Sequence, residues 1–207
     1  MMFQIKNLIF KSEDRTVLSL EGYSIEANNH LLLLGNSGCG KTTLINLLGG
    51  LMRPNSGEVS FEGTDYSTLS ETAIDRLRAE NFGFVFQRLH LIGHLSVVQN
   101  IALAQHKPDL SNIQILITDL GLEGKENQKA RDLSVGEAQR VAIARAVANT
   151  PKVIFADEPT SALDDQNAEN VMNLIFGQAQ KTGATVIAAT HDARIKNRFT
   201  SVLEMSA

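Results

Sequence analysis

The first third of the chain carries its apolar residues in short runs separated by turn formers. Phe3 and Ile5, then Leu8 and Phe10 beyond Asn7, predict a strand with an alternating start. Val17–Leu20 and Tyr23–Ile25 predict two more short strands, with turns at Gly22 and at Asn28-Asn29. The continuous run Leu31–Leu34 has the character of a strand buried on both faces, and Thr43–Leu48 predicts a helix after it. Beyond breaks at Gly49-Gly50 and Pro54–Gly57, Glu58–Phe61 alternates again and Gly63 marks a turn. Residues 1–66 thus predict a β-rich layer around one strand–loop–helix unit.

Thr68–Glu80 is polar and helical in pattern, with Ser70 or Thr72 as its cap, and Gly83–Phe86 is an apolar strand ending at Gln87. From 88 to 132 strand runs vanish. Helical spacing takes over at Val97, Val98, Ile101, Ala102 and Ala104, then at Ile113, Leu116, Ile117 and Leu120, with Pro108 and Gly121 as breaks. Strand–helix alternation then resumes: helix Glu137–Ala148, strand Val153–Ala156, helix Gln166–Lys181, strand Thr185–Ala189, and a last edge strand over Val202–Met205. Continuous apolar strands alternating with helices predict a mostly parallel sheet covered on both faces, an α/β fold. The expected organisation is one domain over 1–207. Its core is 1–87 with 133–207, and a helical subdomain is inserted at 88–132.

Composition narrows the function classes. The chain has 207 residues, 43% of them hydrophobic and 20% charged, enough for a real core and too apolar for global disorder. A net charge of −4 without a long basic run argues against a dedicated nucleic-acid surface. The single cysteine allows no intrachain disulfide and no cysteine-based zinc site, which fits a reducing compartment. The N-terminus lacks an apolar signal core, and no run of eighteen apolar residues is present. Service to a membrane process would therefore go through another subunit.

The chemistry concentrates at Gly35-Asn36-Ser37-Gly38-Cys39-Gly40-Lys41-Thr42, which is G-x-x-x-x-G-K-[ST] between a strand and a helix. Glycines let successive N–H groups turn inward on an anion, and the helix N-terminus adds partial positive charge. In this pattern Lys41 reaches the β- and γ-phosphates, and the Thr42 hydroxyl holds Mg²⁺. Val153–Ala156 delivers Asp157 and Glu158 at a strand's C-terminal end, where open α/β sheets bind ligands. Asp157 suits a metal, directly or through water, and Glu158 suits an attacking water; a solvated carboxylate pair opening a loop is the plainer alternative. Leu133–Arg140 opens a helix, with Ser134 and Glu137 spaced as a capping box. That bland reading is sufficient by itself; a second anion site at the helix N-terminus is the other. Gln87 and His191 each end a strand, where structural roles are as reasonable as catalytic ones.

The order of these pieces resembles the ATP-binding subunits of ATP-binding-cassette (ABC) transporters, over roughly Met2 to Met205. The matching stretches are 35–42 (Walker A), Gln87 (Q-loop), Leu133–Glu137 (signature), Val153–Glu158 (Walker B), Ser161-Ala162-Leu163-Asp164 (D-loop) and His191 (switch histidine). Within the family, LINLLGGLMRPNSGEV, GFVFQRLHLIGHLSVVQNI, GEAQRVAIARA and ADEPTSALD look most like the bacterial lipoprotein-releasing, macrolide-exporter and cell-division cassettes. The resemblance implies a P-loop NTPase core with an N-terminal antiparallel β layer and a helical insertion. It implies two copies meeting head to tail, each ATP lying between Walker A of one and the signature of the other.

Carried over by position, Gly35, Asn36, Ser37, Gly38, Cys39, Gly40, Lys41, Thr42 and Thr43 cradle phosphate. Thr42, Gln87 and Asp157 serve Mg²⁺. Ser134, Gly136 and Glu137 complete the site from the other copy. Glu158, His191, Gln87 and Lys41 form the catalytic set. The implied partners are a second copy and an integral membrane permease docking near Gln87 and 88–132. No nucleic acid is expected, and the implied location is cytoplasmic, peripheral on the inner face of the cell membrane. A non-transport member acting in translation or DNA repair is the alternative, although such members carry paired cassettes or long insertions.

Two departures are visible. Val135 stands where the signature usually has glycine, and a β-branched residue resists positive φ and adds bulk near the phosphate. Ser12 aligns with the aromatic that usually stacks on adenine, leaving Phe10 or Phe3 as substitutes. Cys39 fits as a small tolerated residue better than as a redox switch.

Overall fold

The computed structural model describes residues 1–105, 107–161 and 163–206. Among the described residues nine strands make two sheets. The antiparallel sheet contains β1 (Phe3–Ser12), β2 (Arg15–Ile25), β4 (Ser56–Phe61) and β5 (Thr64–Asp65), in the order β2-β1-β4-β5. The second holds β3 (Leu31–Leu34), β6 (Phe82–Val85), β7 (Val153–Asp157), β8 (Thr185–Thr190) and β9 (Ser201–Glu204), in the order β6-β7-β8-β3-β9. Every pairing in that sheet is parallel. The anticipated edge strand is β9, which pairs with β3.

The N-terminal layer differs from expectation in one respect. Tyr23–Ile25 is no separate strand, because Gly22 stays in register opposite Lys6 and β2 runs unbroken from Arg15 to Ile25. The long partner β1 supplies ladder bonds past Gly22, so its turn propensity is overridden.

The helices are α1 (Lys41–Leu48), α2 (Glu71–Asn81), α3 (Val97–Ala102), α4 (Leu110–Asp119), α5 (Val135–Val147) and α6 (Asp165–Thr182). Their starts are chemically marked. Ser70 caps α2, Asp109 caps α4, Asp164 caps α6, and Ser96 and Ser134 close capping boxes on α3 and α5. Helix α1 begins two residues earlier than its apolar pattern predicts, because Gly40 at φ 92° turns the chain into the helix and brings Lys41 and Thr42 into the first turn.

Two apolar layers hold the structure. Between the sheets, α1 buries Leu44, Ile45, Leu47 and Leu48 beside Phe3, Ile5, Phe61, Phe82 and Phe155. The Phe3 ring lies 5.0 to 6.1 Å from those of Phe61, Phe82 and Phe155. On the other face α3, α4, α5 and α6 bury Ile101, Ile117, Val141, Ile143, Met172 and Ile175. With both faces covered, β7 and β8 are buried at every position, which is why their sequences do not alternate. Asn100, fully buried in α3, holds the loop before it by accepting from the Ile92 N–H and donating to the carbonyls of Ile92, Leu95 and Ser96. No helix among the described residues is long and apolar enough to cross a membrane.

Candidate functional site

The strand order places the chemistry. Strands β6, β7, β8 and β3 are consecutive neighbours, and all run the same way. Their C-terminal ends therefore share one edge, which carries Gln87, Asp157 with Glu158, His191, and the loop 35–42. A cavity of about 290 Å³ opens there, lined by Val17, Ser37, Gly38, Gly40, Lys41, Thr42, Thr43, Gln87, Glu158 and His191.

The glycine-rich loop is built for close approach. Gly38 and Gly40 have φ of 86° and 92°, the left-handed region where a side chain is strained. A side chain at Gly35 would strike the Met205 carbonyl and the Cys39 thiol. Cys39 is itself buried and fills that corner, as a small packing residue does. The Lys41 ammonium, 5% exposed, donates to the carbonyls of Gly35 at 2.7 Å and Asn36 at 3.0 Å. It lies 3.6 Å from Glu158 Oε1. A positive charge is thus held by the loop's own carbonyls beside its backbone amides.

Across the cavity the Thr42 hydroxyl donates to the Asp157 carboxylate, 3.1 Å from Oδ1 and 2.9 Å from Oδ2. Burial pushes Asp157 up from the usual carboxylate range; the Thr42 hydroxyl opposes this, the Glu158 charge adds to it, and Lys41 opposes it. A hydroxyl, a desolvated carboxylate and the nearby Gln87 amide form an all-oxygen donor set, which suits a hard divalent cation such as Mg²⁺. Among the described residues no cluster of three or more His, Cys, Asp and Glu could hold a metal without help.

Glu158 takes φ 48°, and its amide donates to the Ala189 carbonyl at 2.7 Å. Its carboxylate is 12% exposed and accepts from the Thr190 hydroxyl at 3.0 Å. His191 Nδ1 lies 3.1 and 3.0 Å from its two oxygens. A carboxylate only accepts, so Nδ1 carries the hydrogen of this contact and Nε2 is left free of it.

The signature stretch lies elsewhere. Ser134, Gly136 and Glu137 do not line this cavity. Ser134 caps α5, its hydroxyl accepting from the Glu137 N–H while the Glu137 carboxylate accepts from the Ser134 N–H at 2.8 Å. That backbone bond, then Lys125, then the Ser134 hydroxyl hold the Glu137 carboxyl down to about 2. Val135 corrects an expectation. It occupies the first helical position, is absent from the positive-φ residues, and is 74% exposed, so the backbone is unstrained there and only the bulk of the isopropyl group distinguishes it from glycine. Ala162 of the 161–164 quartet lies outside the described residues.

Phe3 is also corrected: it is fully buried between the sheets and cannot reach a base. Phe10 packs against the same core, and among the described residues no Phe or Tyr lines the cavity. Sequence reasoning missed two participants. Val17 reaches the cavity from β2, and Thr190 contacts Glu158. Only their positions at the ends of otherwise apolar strand runs hinted at either.

Comparison with known proteins agrees with this geometry. The family model described as ABC transporter matches residues 21–161. The chain is 40% identical over 199 residues to the macrolide export ATP-binding/permease protein MacB 2 of Aeromonas hydrophila, covering 93% of this chain and 31% of that protein. It is 40% identical over 204 residues to MacB of Escherichia coli K12, covering 95% and 31%. The chain thus spans about a third of the length of the curated relatives it matches. Among solved structures, the dimeric post-hydrolysis state of the ATP-binding cassette MJ0796 bound to ADP and Pi superposes with a TM-score of 0.88 at 30% identity, covering 99% of this chain and 94% of that one. CbiO1 of Clostridium perfringens, part of the ABC transporter complex cbiONQ, gives 0.87 at 28%, covering 99% and 84%. The family model spans more than half of the chain, and the same fold recurs in solved cassettes over nearly its whole length. The chain therefore belongs to the ABC transporter family, as an ATP-binding cassette.

Proposed function

We propose that this chain binds and hydrolyses ATP as a head-to-tail pair of copies and drives a membrane permease in export, lipoprotein release or mechanical work on the envelope. One observation carries the reading. Lys41, Thr42, Gln87, Glu158 and His191 converge on one cavity with Asp157 on Thr42, while Ser134 and Gly136 do not line it. An anion cradle with a metal-competent oxygen pair and a poised carboxylate suits phosphoryl transfer to water. The Ser134 end of α5 on a second copy is a helix N-terminus suited to close it over the phosphates.

In this reading the amides of 35–43 and the Lys41 ammonium take the β- and γ-phosphates. Thr42, Asp157 and Gln87 hold Mg²⁺, which would neutralise phosphate charge when bound. Glu158 accepts the proton of the attacking water as its oxygen bonds to the γ-phosphorus and the bond to the bridging β–γ oxygen breaks. His191, fixed through Nδ1 by Glu158, contacts the γ-phosphate. Ser134, Gly136 and Glu137 of the other copy close the site, with Val135 at that contact.

The permease is assigned to the surface near Gln87 and the 88–132 helical subdomain. A groove of about 450 Å³ there is lined by Leu51, Arg78, Phe84, Phe86, Leu103 and Arg145, among others. Leu103 is 54% exposed and Leu51 41%, which favours an apolar segment framed by the arginines. The cassette would then sit peripherally on the inner face of the membrane. Macrolide export belongs to the named relatives; for this chain it is one candidate cargo class. Glu158→Gln tests the core of the reading: ATP hydrolysis should fall at least about 100-fold with nucleotide binding retained. Hydrolysis at the wild-type rate would remove Glu158 from the mechanism.

A further inference from the structure

Thr190 is the last residue of β8 and is fully buried. Its hydroxyl has two partners of opposite kind. The Asp192 amide donates to Thr190 Oγ1 at 3.0 Å, and Thr190 Oγ1 lies 3.0 Å from Glu158 Oε2. An amide N–H can only donate and a carboxylate can only accept. The single hydroxyl proton is therefore committed to Glu158, with no alternative rotor position that satisfies both neighbours. The backbone of the same residue is equally committed, since its carbonyl accepts from the Gly35 N–H at the start of the phosphate loop.

The Asp192 end of this chain of bonds is anchored. The Asp192 carboxylate accepts from the Thr160 hydroxyl at 3.2 Å and from Arg194 Nη2 at 2.7 Å. Arg194 also pairs with Asp165, the first residue of α6 after the 161–164 quartet. The Arg194 guanidinium holds the Asp192 carboxyl down to about 2, so this anchor stays charged throughout the neutral range.

We propose that Thr190 is a positioning residue for hydrolysis, its hydroxyl fixing the rotamer of Glu158 relative to the phosphate loop. This rests on the assignment of Glu158 as the proton acceptor. Glu158 stands on a left-handed backbone beside a cavity, and a carboxylate free to rotate there would spend much of its time off the line of the attacking water. His191 does not distinguish the two carboxylate oxygens, because one Nδ1–H is shared between them, and the Lys41 ammonium lies beyond hydrogen-bond distance, 3.6 Å from Oε1. Thr190 selects one of them.

The test compares Thr190→Val, Thr190→Ser and Glu158→Gln in the full chain, measuring kcat, KM and equilibrium binding of ATP. Valine keeps the shape and removes the donor, so kcat should fall about 10- to 100-fold while ATP affinity stays within about twofold. Serine restores the donor and should recover kcat to within about threefold of wild type. Wild-type kcat in Thr190→Val overturns the proposal, as does a loss that serine does not rescue or that appears equally in ATP affinity. Should the valine variant not fold, Thr190→Ala removes hydroxyl and bulk together and should show the same loss confined to kcat. Glu158→Gln separates the two claims. If it remains active, the Glu158 assignment has failed; if it is inactive while Thr190→Val is unimpaired, only the role of Thr190 has failed.

Discussion

The Thr42 hydroxyl faces both oxygens of the Asp157 carboxylate, at 3.1 and 2.9 Å, although 115 positions separate the two residues. This contact joins the phosphate loop to the end of β7 and explains why Asp157 tolerates burial at 8% exposure. One neutral hydroxyl only partly offsets desolvation, so the carboxyl remains above its usual range. A divalent cation would complete the compensation.

Asp157→Asn should therefore make the ligand-free protein more stable and, on the proposed assignment of Asp157 to Mg²⁺, abolish ATP hydrolysis. A carboxyl whose folded value is raised contributes stability only below its unfolded value, near 3.9, and loses it as pH rises through the folded value. The charged form is thus a net cost at pH 7, and the amide removes that cost. The melting temperature should rise at pH 7 and the gain should vanish near pH 3. MgATP should stabilise the wild type but not the variant, whose ATPase rate should drop at least about 100-fold. A variant less stable than wild type at pH 7 would show that the carboxylate is not the burdened group described.

The base of the parallel sheet should respond to pH through His30. The Val186 N–H donates to His30 Nδ1 at 3.0 Å, so that nitrogen must be unprotonated, and burial lowers the imidazole below its ordinary value. The folded state then binds fewer protons than the unfolded one. Stability from this group is complete above about pH 6.5 and declines as pH falls through 6.5 toward the folded value. His30→Asn keeps an acceptor near the Nδ1 position and removes the titration. The urea midpoint of the wild type should fall between pH 7.5 and 5.5 by more than that of the variant. Parallel midpoints in the two proteins would refute the assignment.

Base selectivity should be weak. Among the described residues Val17 is the one side chain that the antiparallel sheet gives to the cavity lining, and a valine offers no face for stacking. Ser12, the position that aligns with the usual aromatic, ends β1 opposite Arg15 in an exposed hairpin. ATP and GTP should compete within about fivefold of each other. Ser12→Tyr should tighten ATP binding about five- to tenfold, the low end of what one base–aromatic stack contributes. Unchanged affinity in the tyrosine variant would place the base away from this hairpin.

What the sequence disclosed follows the range of the interactions involved. Residues 35–42 were legible because phosphate binding demands several amides, a lysine and a hydroxyl within one loop, so spacing alone encodes the chemistry. Strands β3, β7 and β8 were legible for a similar reason, since burial on both faces leaves unbroken apolar runs. Gly22 was not, because its role depends on its pairing with Lys6 of β1, which local turn propensity does not reveal. Phe3 was not, because an alternating strand shows which residues share a face but not what covers that face. Thr190 was not, because its hydroxyl matters only once β7 and β8 lie side by side and Asp192 turns back over it.

The head-to-tail pairing can be tested without a structure of the pair, because the two halves of each ATP site come from different copies in that arrangement. Lys41→Ala damages only the phosphate loop, and Ser134→Ala damages only the signature, at about 1 kcal/mol for the lost cap. Each variant alone should be inactive, since every site in its homodimer contains one damaged half. In a mixed pair the two lesions fall together in one site. The other site joins the intact loop of the Ser134→Ala copy to the intact signature of the Lys41→Ala copy. An equal mixture should form about half mixed pairs, each with one working site, and so recover about a quarter of the wild-type ATPase rate if the sites fire independently. The recovered rate per copy should rise with total protein concentration until pairing saturates. A mixture as inactive as its components, under conditions where wild-type copies are shown to pair, would mean either that both halves come from one copy or that one working site is not enough. A single-chain tandem fusion of a wild-type and a double-variant copy would separate these outcomes, because, unlike the mixed pair, it retains no intact composite site in the head-to-tail arrangement but keeps a complete set of groups on the wild-type copy.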